Sequence, residues 1–457
     1  MPIFERSCPL PVPVETAWAW HARPGALERL LPPWERVEIV DRSGDFETGS
    51  VVLRIPIGPC RATWVAQHRL GEDRFEWIDS QVTGPFAQWM HIHRFTATSP
   101  ATSRLTDRIE YALPLGPIGR LAQPRVERRL ARMFAYRHTL LPQDLALHAA
   151  WADRPRLTVA ITGATGLIGR ALVPLLTTGG HRVVHVVRKR LAKDDVLWDP
   201  AGETIETERL EGVDAVVHLA GEPITGLWTG EKKRRILESR RRGTALLAGT
   251  LARLRRPPRV LVSASAIGIY GDRGDEPLTE SSPLPGGAAA PFVSQVAQAW
   301  EAATAPAEQA GIRVVRLRIG LVLTPAGGAL GAMLPAFRLG LGGRLGRGTH
   351  YQSWIAMDDV IGAIYHAVFQ ETLRGAVNAT APEPVTQAEF ARTLARVLGR
   401  PAHFPVPAAL LRFLLGEMAD ELLLASARVL SPRLEESGYR FRFRQLEPAL
   451  RYMLGAG

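Results

Sequence analysis

The chain has 457 residues, room for two to four domains at roughly 100–200 residues each. Hydrophobic residues make up 46% and charged residues 22%, a soluble globular balance that excludes a disordered or fibrous chain. The formal net charge is +11, but lysine stands only at Lys189, Lys193, Lys232 and Lys233, so the excess is arginine of the kind a GC-rich bacterial genome gives; nucleic-acid binding has charge alone behind it and is not expected.

Residues 1–150 read as one unit. Stretches of alternating apolar and polar residues at 37–40, 49–55, 63–70, 74–79, 88–96 and 103–113 predict strands. In the fifth, Trp89, His91, His93 and Phe95 fall on one face. A helix follows over 119–148, its stripe marked by Leu121, Val126, Leu130, Phe134 and Leu141. The expected fold here is a curved antiparallel sheet with a long C-terminal helix. Residues 151–156 form a linker in which Pro155 stops a helix.

From residue 157 the pattern changes. Strands at 157–162, 182–187, 215–219, 259–263 and 313–318 alternate with helices, which predicts the doubly wound parallel sheet of a Rossmann domain over 157–400. Residues 401–457 read as a helical segment that closes the substrate side.

The strongest motif is RLTVAITGATGLIGRALVPLL at 156–176: an apolar strand, a Gly-rich turn and an amphipathic helix. Gly163 permits the tight turn, Gly166 lets the backbone approach a pyrophosphate, and Gly169 lets helix and strand pack closely. With Thr165, Leu167 and Ile168, at a helix N-terminus that offers free N–H groups, they are the candidate phosphate contacts. The second strand runs into Arg188, Lys189 and Arg190, with no carboxylate before Asp194. An Arg there suits the 2′-phosphate of NADP(H), where an acidic residue would suit NAD; the alternative is a solvated basic loop. After the strand in DAVVHLAGEPI (214–224), the small turn of Leu219, Ala220 and Gly221 suits the adenosine ribose, and Ser263 ends the next strand toward the same site.

These blocks, with SASAIGIYGDRGD (263–275), QSWIAMDDV (352–360), NATAPEPVTQAEF (378–390) and the tail over 415–441, resemble the extended short-chain dehydrogenase/reductase superfamily. Within it the match is to the atypical epimerase-like branch, labelled nucleoside-diphosphate-sugar epimerase family, with its closing domain of unknown function. Residues 4–34 and the helix over 119–148 resemble the START-like (polyketide cyclase/dehydrase, SRPBCC) proteins. That resemblance implies a helix-grip fold, in which the sheet wraps the helix around an apolar cavity, and hence an apolar ligand.

The superfamily works with Ser, Tyr and Lys, the last two as Y-x-x-x-K. Here Phe292 and Val296 stand at those places, and no Lys follows Lys233. Phe cannot act as acid or base. The candidate substitutes are Ser265, Tyr270 and Glu222, with Asp272 behind them. Tyr270 reads equally as a packed aromatic, Glu222 as the partner of a nearby basic residue and Glu301 as a structural pair. Arg240–Arg242 could reach the cofactor phosphates or form a solvated face. Ser353, Trp354, Asp358 and Asp359 are expected to order the loop over the substrate side. His91 and His93 could ligate a metal, but no third ligand is apparent, so they are read as cavity lining or core and no metal is assigned.

Cys8 and Cys60 form neither a metal pattern nor a disulfide framework. The N-terminus lacks a basic segment followed by an apolar run, and no stretch of about 18 apolar residues calls for a membrane span. A cytoplasmic place is expected. The reading is an NADP(H)-dependent oxidoreductase or epimerase-like protein acting on an unknown small substrate, with an apolar-ligand domain in front. The alternative is a non-catalytic NADPH sensor or ligand carrier.

Overall fold

The computed structural model describes residues 1–58, 60–287 and 290–456. It divides into two compact units, one built from residues 1–155 with 177–180 and the last residues from 452, the other from 156–176 and 181–451.

In the first unit, β1 (Ile3–Leu10) leads into α1 (Val14–Ala22) and α2 (Ala26–Leu30). A meander follows: β2 (Glu38–Ser43), β3 (Ser50–Ile57), β4 (Cys60–Leu70), β5 (Glu76–Thr83), β6 (Gln88–Ser99) and β7 (Thr102–Ala112). The seven strands lie in the order β1-β7-β6-β5-β4-β3-β2, antiparallel throughout. Register shifts at Ile39/Asp41, Val65/Ala66 and Ala97/Ser99 bend the sheet, because an extra residue on one strand sharpens local twist. β1 was absent from the predicted strands. Only Phe4, Cys8 and Leu10 point inward from it, and its Pro9 is tolerated because the strand is an edge.

The long helix α3 spans Gln123–Ala149 and buries Leu130, Phe134, Leu141 and Leu145. It starts four residues later than the apolar stripe suggests. Leu121 lies in a 3₁₀ turn before it and is 84% exposed, so it is no part of the core. Arg29 of α2 and Asp144 of α3 form a buried ion pair at 2.7 Å.

In the second unit, β8 (Thr158–Thr162) and α4 (Leu167–Thr178) open the parallel sheet, followed by β9 (Arg182–Val187), β10 (Val196–Asp199), β11 (Thr204–Ile205) and β12 (Ala215–His218). Then come α5 (Gly230–Ala252), β13 (Val260–Ala266), α6 (Phe292–Ala302), β14 (Arg313–Ile319), α7 (Met357–Phe369) and β15 (Gly375–Ala379). The order is β11-β10-β9-β8-β12-β13-β14-β15, with only β11 antiparallel to its neighbour. Central strands are apolar on both faces because helices cover both; Val159, Ile161, Val216, Leu261 and Val315 are fully buried.

Beyond β15 lie α8 (Gln387–Leu398) and α9 (Ala408–Leu415). The segment after residue 401 is less uniformly helical than expected. Arg428–Val429 pairs in parallel with Pro277–Leu278. Among the described residues no helix is long and apolar enough to cross a membrane.

Candidate functional site

The glycine turn is set by backbone geometry. Gly163 has φ +71°, and a Cβ there would stand 2.9 Å from Ala220 N and from the Leu219 carbonyl carbon. The turn after β8 therefore packs directly on the turn after β12. Gly169 sits in the first turn of α4, where a Cβ would come within 2.3 Å of the Gly163 carbonyl oxygen. A Cβ on Gly166 would meet only that same oxygen, at 3.1 Å. Space outside Gly166 is open, Thr165 and Leu167 are exposed beside it, and Ile168 is half-buried. The first N–H groups of α4 have no partner within the helix. An anionic group fits this cradle.

Thr162, His218 and Thr244, none of them singled out in the sequence, lock the two turns together. The Thr162 hydroxyl accepts from Leu219 N (3.1 Å) and Ala220 N (3.2 Å) and stands 2.7 Å from His218 Nδ1. His218 Nε2 reaches Thr244 Oγ1 at 2.9 Å. Burial pushes the His218 imidazole down to about 4, so it is neutral and bonds both hydroxyls. The repeated T-G and H-L-A-G small-residue pattern was the available signal.

Arg188 and Lys189 follow β9, exposed, and neither side chain makes an ion pair or hydrogen bond among the described residues. Arg190 differs, since it pairs with Glu206 at 2.6 Å. Ser263 is buried in β13 with its hydroxyl on the Ala264 carbonyl, so it presents no free donor. Of Arg240, Arg241 and Arg242 on α5, the last two pair with Glu238 on the solvated face. Arg240 lies under Gly221, bonds the Glu222 carbonyl at 3.0 Å and stacks over Trp300 at 4.9 Å. Burial lowers it to about 10.

The catalytic candidates divide into two groups. Ser265 donates to Glu301 Oε1 (2.7 Å), and Glu301 receives Arg318 Nε (2.8 Å) and Nη2 (2.9 Å). Arg318 Nη1 donates to the Tyr270 hydroxyl (2.9 Å), which donates to Asn378 Oδ1 (2.7 Å). Ser265 and Tyr270 thus belong to one buried, mutually satisfied network with Glu301. Burial raises the Tyr270 phenol, and none of its surface is exposed. Glu222 stands apart. Lys232 Nζ binds its carboxylate at 2.8 Å and holds it below the usual range, so the desolvated acid required of it is not what forms. Asp272 is exposed and caps Gly274 N at 3.2 Å.

Phe292 begins α6, edge-on to Trp228 at 5.1 Å, with Lys233 Nζ 4.6 Å above its ring. Val296 is buried. Glu421 accepts the N–H groups of Phe292 and Val293 at 2.9 and 2.8 Å. Ser353 and Asp359 tie down the C-terminal segment. Ser353 Oγ donates to the Ala427 carbonyl and accepts from Val429 N, both at 2.8 Å, while Asp359 accepts from Arg442 N (2.7 Å), Phe443 N (3.1 Å) and the Tyr439 hydroxyl (3.2 Å). Trp354 is buried, its Nε1 on the Glu383 carbonyl at 3.1 Å, and Asp358 is buried beside Asp359.

The first unit encloses a cavity of about 810 Å³ between its sheet and α3, within the usual range for a small-molecule pocket. Leu53, Ile55, Trp64, Trp89 and Leu130 are among its apolar lining, and His68, Asp79, His91, His93 and Arg137 make one polar wall.

An open glycine cradle at the end of a central parallel strand defines a dinucleotide-binding Rossmann protein. Residues 159–378 match the NAD dependent epimerase/dehydratase family, 406–453 a domain of unknown function (DUF1731), and 10–135 the polyketide cyclase / dehydrase and lipid transport family. An epimerase family protein of Mycobacterium tuberculosis is 40% identical over 296 residues, 64% of this chain and 96% of that protein. The crystal structure of a nucleoside-diphosphate sugar epimerase from Corynebacterium glutamicum is similar over 99% of this chain and 90% of that one, with TM-score 0.81 and 35% identity. Human epimerase family protein SDR39U1, solved with NADPH, is similar over 65% of this chain and 99% of that one, with TM-score 0.60 and 35% identity. The chain belongs to this epimerase family of extended short-chain dehydrogenase/reductase type, and its N-terminal domain is START-like.

Proposed function

We propose that this protein binds NADP(H) at the glycine turn and is an oxidoreductase or epimerase-like protein acting on a small substrate. The observation that carries the choice of cofactor is Arg188 at the end of β9, exposed and without an ion pair among the described residues, with Lys189 beside it and no carboxylate in the sequence from there to Asp194. The NADPH in the human relative supports it. Gly163, Thr165, Gly166, Leu167, Ile168 and Gly169 would cradle the pyrophosphate, Leu219, Ala220 and Gly221 would lie along the ribose, and Arg240 adds a positive charge behind that turn. Bound there, the nicotinamide supplies or accepts hydride. Residues 1–150 would hold an apolar ligand in their cavity, and 401–457 would close the substrate side.

Calorimetric titration of the full chain with NADPH and NADH tests this. The expected result is NADPH tighter by tenfold or more, about 1.4 kcal/mol, with the preference lost in Arg188→Ala. Equal affinities would remove the assignment.

A second reading is a non-catalytic NADPH sensor or carrier. Phe292 in place of Tyr, and Tyr270 sealed in its network, favour it. Absence of NADPH oxidation against a panel of aldehydes, ketones and quinones, with binding intact, would select it.

A further inference from the structure

The third ligand that the sequence lacks is supplied by the register of the N-terminal sheet. Asp79 on β5 lies directly opposite His91 on β6, and on its other side directly opposite His68 of β4. His93 is two residues along β6 and so shares the face. One oxygen of Asp79 and one nitrogen each of His91 and His93 lie within 4.8 Å of one another. A common ion at about 2.0–2.2 Å would require these three atoms to draw closer than that limit.

We propose that Asp79, His91 and His93 form a three-ligand site for one divalent transition-metal ion, opening onto the apolar cavity of the N-terminal domain. The site lies in the cavity assigned above to an apolar ligand, but it does not depend on that assignment.

The strongest support is a second carboxylate. Asp107 of β7 is buried and is not part of the cavity wall. One of its oxygens is 3.0 Å from His91 Nε2 and 2.8 Å from His93 Nδ1, and its other oxygen is 3.1 Å from His138 Nε2. His91 thus has Nε2 bonded to Asp107, while His93 has Nδ1 beside Asp107, without hydrogen-bond geometry, and Nε2 3.3 Å from Asp79 Oδ2, already turned to the carboxylate that would share the ion. For His91 that is the arrangement by which an outer carboxylate orients a metal-binding histidine and raises its basicity. Trp77 lies flat on His93, with centroids 3.9 Å apart at 11°, and fixes its plane. Among the described residues Asp79 Oδ1 accepts no hydrogen bond, although His68 Nε2 stands 3.3 Å away. A buried carboxylate oxygen without a donor is costly, and a cation satisfies it. Two imidazoles and one carboxylate suit zinc, iron, nickel or cobalt better than magnesium or calcium. Arg137 on the same wall adds positive charge, which favours an anionic oxygen at the remaining metal positions.

The rival occupant of this charge pattern is a proton. His93 as imidazolium, 3.3 Å from Asp79 and 2.8 Å from Asp107, would bridge the two carboxylates by itself. Cobalt separates the two. The full chain is stripped with chelator, titrated with Co²⁺ and followed by visible ligand-field absorption and metal analysis. One cobalt per chain is expected, displaced by Zn²⁺. Asp79→Asn and His91→Gln should each weaken it by more than about 100-fold, and Asp107→Asn, a change at a positioning residue, by about 10–100-fold. Unchanged thermal unfolding in at least one ligand variant shows that the loss is not misfolding. No cobalt in the wild-type chain overturns the proposal. So does wild-type cobalt affinity and spectrum in Asp79→Asn and His91→Gln, which would place the ion elsewhere.

Discussion

Arg318 and Glu301 face each other in a two-bond pair, Nε to Oε1 at 2.8 Å and Nη2 to Oε2 at 2.9 Å, with 6% and 12% of their side chains exposed. β14 supplies one and α6 the other. Ser265 and Tyr270 each bond one member, so the pair is the centre of a polar core. Removing one partner leaves a buried charge uncompensated. Glu301→Ala should destabilise the protein by about 3–5 kcal/mol in urea unfolding. Tyr270→Phe removes one hydroxyl and should cost about 1 kcal/mol while leaving cofactor affinity unchanged. A large loss of NADPH binding in Tyr270→Phe would place that hydroxyl at the cofactor after all.

The two turn glycines should fail in different ways. Gly163→Ala forces a side chain into a left-handed conformation and against the Leu219–Ala220 backbone. It should lower the unfolding midpoint, by at least the roughly 1–2 kcal/mol that conformation costs, and abolish NADPH binding. Gly166→Ala meets little of the protein itself, so stability should hold while dinucleotide affinity falls. Equal loss of stability in both variants would contradict this division.

Asp359 gives the second unit a pH dependence. Burial pushes its carboxyl up from 3.8 to about 7, against the pull of Arg442 and the donors at Phe443 and Tyr439. The folded state binds this proton more tightly than the unfolded chain. The stability it contributes is fully present below about pH 4 and is lost as pH rises through about 7, a change on the order of a few kcal/mol. Urea midpoints should therefore fall between about pH 4 and 7 and level off above that. Asp359→Asn, less stable at the outset because an acceptor is gone, should show a flatter slope. Identical slopes would mean that another group titrates.

The two thiols should react unequally. Cys8 is buried and pushed up to about 11, chiefly by burial and then by Asp107, whereas Cys60 is exposed. At pH 8 roughly a thousandth of Cys8 would be thiolate, the reactive form. Iodoacetamide should label Cys60 in the native protein and Cys8 only after unfolding, as peptide mass spectrometry would read directly.

What the sequence made legible is what local backbone constraints write into it. Gly163 needs a positive φ and Gly169 has no room for a Cβ, so glycine spacing announces the turn. The central strands were visible as apolar runs. Pairings across distance were not. Tyr270, Glu301 and Arg318 meet only because β13 and β14 are neighbours and α6 packs beside them, and Asp79 joins His91 and His93 only through sheet register. Lys233 comes to Phe292 from a different helix. β10 and β11, of four and two residues, are too short to show a period. Leu121 misled because apolar spacing continued past the true helix start.

Asp359 also bears on how the chain matures. Its backbone donors at Arg442 and Phe443 lie 83 and 84 residues downstream, and Ser353 waits for Ala427, 74 residues on. During synthesis Asp359 of α7 precedes its Arg442 and Phe443 donors by more than 80 residues. A chain cut before residue 442 would leave the Asp359 carboxyl without these two backbone donors.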